Sequence, residues 1–184
     1  MTYIAFGVRV FFGALFLIAA ATKTRRRDAW RSYLVSVAGL TTLKRGGRIR
    51  AVAMTAVAGE AAVPILMLFP TTIPWGFVLS ALLLCGFSTA AVLALRRGDR
   101  QECRCFGGSA ETIRRSTVVR NGVLLTVLLC GALAWRSAAP VPLDAGWAVL
   151  TGVVAATLLG AVLYWRDIAD LAFTTDSRSL RGIR

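Results

Sequence analysis

The sequence contains no histidine. That removes histidine-ligated haem, histidine-bearing zinc sites and any catalytic triad with a histidine base. Acidic residues are scarce as well. Nine Asp and Glu stand against 22 Lys and Arg, 20 of them Arg, for a net charge of +13. No basic residue precedes the first apolar run, as one would in a cleaved signal peptide. The cluster Lys23, Arg25, Arg26 and Arg27 follows that run instead, which is a stop-transfer arrangement. Strand-length stretches of alternating polarity are missing, which excludes an outer-membrane barrel. There is no internal repeat and no low-complexity tract.

Apolar residues are what the chain has in excess. They make up 57% of its 184 residues, above the roughly 45–50% of soluble chains. Five stretches, about 3–22, 49–69, 74–95, 117–135 and 145–165, are each long enough to cross about 30 Å of hydrocarbon as a helix. The fold expected is all-α: a polytopic membrane helix bundle with a four-helix core and a fifth C-terminal span. Residues 1–136 would form the bundle. Residues 137–184 would add the fifth span and a polar tail.

The charges give an orientation. Segment 23–50 carries nine basic residues, segment 96–116 six and the tail 166–184 four, which is 19 of the 22. The intervening connections 70–73 and 137–144 carry none. The expectation is a multi-pass protein of the bacterial inner membrane, N-terminus outside and C-terminus cytoplasmic. The lipid bilayer is then the primary partner, and the basic loops would attract anionic lipid. Positive-inside bias accounts for the charge, so no nucleic-acid partner is expected. In the first basic segment, Trp30, Leu34, Val37 and Leu40 recur at helical spacing, as in an interfacial amphipathic helix.

Glu60 falls near the middle of the second stretch. A carboxylate at that depth is costly and is a functional-site candidate with a partner to be named. Counted along the spans, Arg9 lies within about 6 Å of the same depth, which makes it the first candidate partner. Arg120, beside Asn121 one turn into the fourth stretch, is the second. A structural ion pair, a neutral Glu60 and direct chemistry all remain open. Gly59 and the alanines around it form a small-residue face, and Gly152 and Gly160 offer the same in the last stretch. Cys85 and Cys130 lie at depths within about 5 Å of each other. Each reads as a small apolar residue, or together they form a second thiol pair.

The strongest local signal is Cys103-Arg104-Cys105-Phe106-Gly107-Gly108. Two thiols one residue apart can close a small strained ring, and strain makes a disulfide more oxidising. Arg104 favours the thiolate, the form that attacks. Gly107 and Gly108 allow a sharp turn, and Phe106 could seat the loop on the membrane surface. Thiol–disulfide exchange fits this chemistry. Two thiolates do not complete a zinc site, so a resident metal is not expected, although a Cu(I) site, a site shared by a dimer and a purely structural disulfide stay open. No haem or quinone motif is evident; a quinone remains compatible as a redox co-substrate.

Cys103-x-Cys105-Phe106-Gly107, placed after Arg97-Gly98, resembles the Cys-x-Cys-Phe-Gly signature of MauE-type membrane proteins, relatives of the DoxX group. Arg9, Gly13, Lys23, Glu60 and Arg120-Asn121 agree with it, so the resemblance covers roughly residues 6–134. It implies an inner-membrane helical bundle that supports disulfide formation in methylamine utilisation, beside a thioredoxin-like or other membrane or exported partner. It also implies Cys103 and Cys105 as the redox pair, with Glu60, Arg9 and Arg120 as polar residues of the bundle interior. An exported substrate and a cytoplasmic thiol pair would need electrons to cross the membrane, through Cys85 and Cys130 or a quinone, or a loop folded back into the bundle. Two other classes remain: an assembly scaffold whose Cys pair is structural or metal-binding, and a transporter that uses Glu60.

Overall fold

The computed structural model describes residues 2–41, 46–97, 102–103, 111–112, 115–137 and 144–163. The first stretch forms α1 (Thr2–Thr24). A second helix, α2 (Arg27–Leu40), follows at once. The remaining stretches form α3 (Gly46–Leu68), α4 (Ile73–Arg96), α5 (Arg115–Arg136) and α6 (Ala145–Leu163). All but α2 are long and apolar enough to cross a membrane, so the described chain has five candidate spans, as the composition leads one to expect. Between α4 and α5 the backbone makes one short antiparallel ladder. Strand β1 (Glu102–Cys103) pairs with β2 (Glu111–Thr112), Cys103 facing Glu111.

Helix α1 is the hub. It packs on α3 and α5, α4 closes the ring between those two, and α6 lies against the outer side of α1. The core is drawn from one stripe of each helix: Phe12, Leu15, Phe16 and Ala19 on α1, Val63 and Met67 on α3, Leu84 on α4, Leu124 and Leu128 on α5. Large apolar residues on the opposite faces are exposed, among them Leu17, Leu82, Leu129 and Val153. A soluble bundle would bury such a surface; in lipid it is the solvent-facing side.

Lipid supplies no hydrophobic drive between helices, so close approach and packing carry the association. A Cβ placed on Gly7 would come within 2.6 Å of Thr151, and one on Gly76 within 2.8 Å of Met67. Gly59 likewise faces Leu83 at 3.3 Å. A Cβ on Gly152 or Gly160, expected to serve α6 in this way, would meet no neighbouring helix within 4 Å among the described residues; Gly7, on the partner helix, makes that contact instead.

Orphan polar groups at the helix ends find specific partners. The Asp144 carboxylate accepts from the N–H groups of Gly146 and Trp147, which caps the start of α6. The Arg97 guanidinium donates to the Gly39 and Leu40 carbonyls at the end of α2. These contacts tie α2 to the end of the bundle formed by the C-termini of α1 and α4. That end carries Lys23, Arg25, Arg26, Arg96 and Arg97 and is the arginine-rich end. Helix α2 buries Tyr33, Ser36 and Val37 against the bundle and leaves Arg27, Arg31 and Val35 exposed. The expected amphipathic helix therefore exists, with its apolar face docked on α3 through Ala53.

Candidate functional site

Glu60 is completely buried, and its partner is Lys23. The Lys23 ammonium donates to Glu60 Oε1. It also stands 4.8 Å above the Tyr33 ring and 5.2 Å from the Phe87 ring. Two aromatic faces and one carboxylate thus replace the water a lysine would otherwise hold. Helix geometry explains the meeting. Side chains lean towards the N-terminus of their own helix. Helices α1 and α3 are antiparallel, so Lys23 and Glu60 lean towards each other. Lys23 therefore points into the bundle, where a basic residue at the end of a span usually extends towards the surface.

The expected Arg9–Glu60 pair is not formed. A Cβ on Gly13 of α1 would lie 3.9 Å from Pro64 Cα of α3, and that register sets Arg9 level with the last turn of α3. There the Arg9 guanidinium donates to the Met67 carbonyl, from Nη2 at 2.6 Å and from Nε at 3.2 Å. Met67 O is among the carbonyls a helix C-terminus leaves without an internal donor. A cation at that position also complements the helix dipole. Arg9 is thus a cap on α3. Counting inwards from the span ends misjudged the depth: with Gly13 level with Pro64, Arg9 lies level with Leu68, about 12 Å along the helix from Glu60.

The Glu60 backbone has a second peculiarity. Pro64 lies inside α3 four residues later and has no N–H to donate to the Glu60 carbonyl. The helix ladder is therefore interrupted at the same residue that carries the buried carboxylate. Among the described residues, Glu60 Oε2 has no hydrogen-bond partner, and neither do the Asn121 side chain or the Thr117 hydroxyl on α5, all buried. Gly131 of α5 meets Val8 of α1, a register that sets Asn121 and Thr117 level with residues 18–22 of α1. The polar interior groups thus gather in the half of the bundle next to the arginine-rich end. Arg120, the other candidate partner, is half-buried on the same turn of α5.

Tyr33 connects this interior to α2. Burial pushes its phenol well above the ordinary tyrosine value, and the nearby Glu60 charge pushes it further. It therefore stays neutral and serves as a ring over Lys23. Strand β1, which contains Cys103, also packs on α2, the helix whose Tyr33 ring covers the Lys23 ammonium. Arg104, Cys105, Phe106 and Gly107 lie outside the described residues. Cys85 and Cys130 are both free thiols on exposed faces of α4 and α5.

Lys23 was legible as a basic flank and as a position agreeing with the family resemblance, not as the partner of Glu60, yet the spacing held a signal. Phe12, Phe16, Ala19 and Lys23 follow at intervals of four, three and four, so Lys23 continues the buried stripe of α1.

This architecture defines a polytopic helical membrane protein with a charged pair sealed inside its bundle. The chain belongs to the MauE family: the family described as methylamine utilisation protein MauE matches residues 1–136, which end with α5. No curated protein and no solved structure matches the chain.

Proposed function

We propose that this protein is a membrane thiol–disulfide redox protein that works through Cys103 and Cys105 in methylamine utilisation. One observation carries the reading: Cys103-Arg104-Cys105 begins in a strand docked on α2, at the arginine-rich end of a MauE-family bundle. The exchange is balanced by its partner. A partner thiolate attacks one sulfur of the Cys103–Cys105 disulfide, the S–S bond breaks and a mixed disulfide forms. The partner's second thiolate resolves it. The partner leaves as a disulfide, and Cys103 and Cys105 retain two electrons and take up the two protons as thiols. The reverse sequence oxidises the pair and reduces the partner. The arginine-rich end faces the cytoplasm in this reading, and the bilayer is the inner membrane.

Labelling with a membrane-impermeant maleimide tests it, in a Cys85→Ala, Cys130→Ala background. Labelling from inverted vesicles and only after reduction is the expected result. Labelling from intact cells would reverse the orientation. Full labelling without reduction, together with unimpaired function of Cys103→Ser, Cys105→Ser, would favour an assembly scaffold.

A further inference from the structure

Helices α3 and α5 lie across the core from each other, with α1 and α4 closing the ring between them. The buried stripe of α3 runs through Glu60, Val63 and Met67, and that of α5 through Asn121, Leu124 and Leu128, at the same three-four spacing. Val63, Met67, Leu124 and Leu128 belong to one continuous core. Glu60 and Asn121 therefore continue two stripes that meet in that core. Their depths match as well. Gly13 beside Pro64 sets Glu60 level with residue 17 of α1, and Gly131 beside Val8 sets Asn121 level with residue 18. The difference is one residue, about 1.5 Å along a helix. Helices α3 and α5 both run antiparallel to α1, so both side chains lean towards the arginine-rich end and stay level.

Glu60 spends Oε1 on the Lys23 ammonium. Among the described residues, neither its Oε2 nor either end of the Asn121 amide has a partner. Interiors pair almost every buried polar group, with protein or with ordered water. The two side chains make no direct hydrogen bond, so a link between them needs a third group. That group has to donate to Glu60 Oε2 and accept from Asn121 Nδ2. A cation would serve the oxygens alone and would meet the Lys23 charge. An anion would serve Nδ2 alone and would meet the carboxylate. Water donates and accepts at once. The wall at this depth is built of short side chains. Here α1 buries Ala19 and Ala20, where further out it buries Phe11, Phe12, Leu15 and Phe16.

We propose that one buried water bridges Glu60 Oε2 and Asn121 Nδ2 and ties α3 to α5 across the core. Lys23 holds the other carboxylate oxygen, so Glu60 joins α1, α3 and α5 at one point. Thr117, one turn nearer the arginine-rich end, is not required. The site is independent of the thiol chemistry, since no step of the exchange uses Glu60 or Asn121.

Asn121 is the only asparagine in the chain, so 15N placed at asparagine side chains reports this amide alone. In lipid nanodiscs, its two Nδ2 protons should show cross-relaxation to water, with the sign of a long-lived bound molecule. The signal should persist in Thr117→Val, which removes the hydroxyl one turn away on α5 and any signal that it relays by exchange. Stability gives a second readout. Replacing an unpaired buried amide by an apolar group of its shape is neutral or stabilising, whereas replacing a bridged one strands the Glu60 oxygen. Asn121→Leu should therefore lower the unfolding midpoint in mild detergent. It should lower it less in a Lys23→Met, Glu60→Met background. Absence of the water signal, its loss in Thr117→Val, or a shift of the amide when chloride is exchanged for gluconate overturns the proposal. So does an unchanged or raised midpoint in Asn121→Leu, or an equal loss in the two backgrounds.

Discussion

Lys23 in the last turn of α1 and Glu60 in the middle of α3 form an ion pair with almost no solvent contact, at 2% and 0% exposure. Both charges have lost their water. Their attraction has to offset that loss, so what the pair provides is mutual dependence rather than surplus stability. It also fixes register, since sliding α1 on α3 by one turn would strand both groups.

Lys23→Met leaves the Glu60 carboxylate alone in the bundle and should destabilise the protein by about 3–5 kcal/mol. Lys23→Met combined with Glu60→Gln should cost clearly less than Lys23→Met alone. Chemical denaturation in mild detergent, followed by circular dichroism, measures both. Additive losses would show that the two side chains do not act as a pair.

Gly131 is the contact point of α5 on α1. A Cβ there would come within 2.7 Å of Val8 Cβ, closer than side chains pack. Gly131→Ala should cost about 1–3 kcal/mol through overpacking. Adding Val8→Ala removes the Val8 γ-methyls and should restore part of that loss. Failure of the rescue would move the strain elsewhere in the α1–α5 contact.

Arg9→Gln removes the charged cap from α3, at a cost of about 1–3 kcal/mol. The effect should be local, with faster amide hydrogen exchange in the last turn of α3 and little change near Lys23. Arg9→Lys keeps the charge but loses the paired donation to Met67, so it should fall between the two.

The raised Tyr33 phenol sets an alkaline limit. The folded protein holds this proton more tightly than the unfolded chain does. Its contribution is complete below the ordinary tyrosine value, about 10. Above that value the unfolded chain ionises first, and stability falls as the pH rises. Tyr33→Phe should reduce the steepness of that fall. Alkaline unfolding curves of the two proteins, compared at equal ionic strength, check the sign.

The five spans and the amphipathic α2 were legible because the bilayer asks for long apolar helices, a demand written into residue order. Glu60 was legible as the costly group for the same reason. The partner of Glu60 was not. Counting from span ends ranks Arg9 first, but the real register is set by the Gly13–Pro64 contact, which brings Arg9 to Met67 in the last turn of α3. Gly152 and Gly160 misled in the same way, since a small residue permits close approach without causing it.

The sequence by itself determined the class of protein, the number of crossings and the sidedness of charge, because these follow from local hydropathy and from counting arginines. Tertiary structure alone decided which charge meets which. It turned Lys23 inwards through the antiparallel lean of α1 and α3, and spent Arg9 on the open end of a helix. Each of these depends on distances between segments far apart in the chain, and no local pattern contains them.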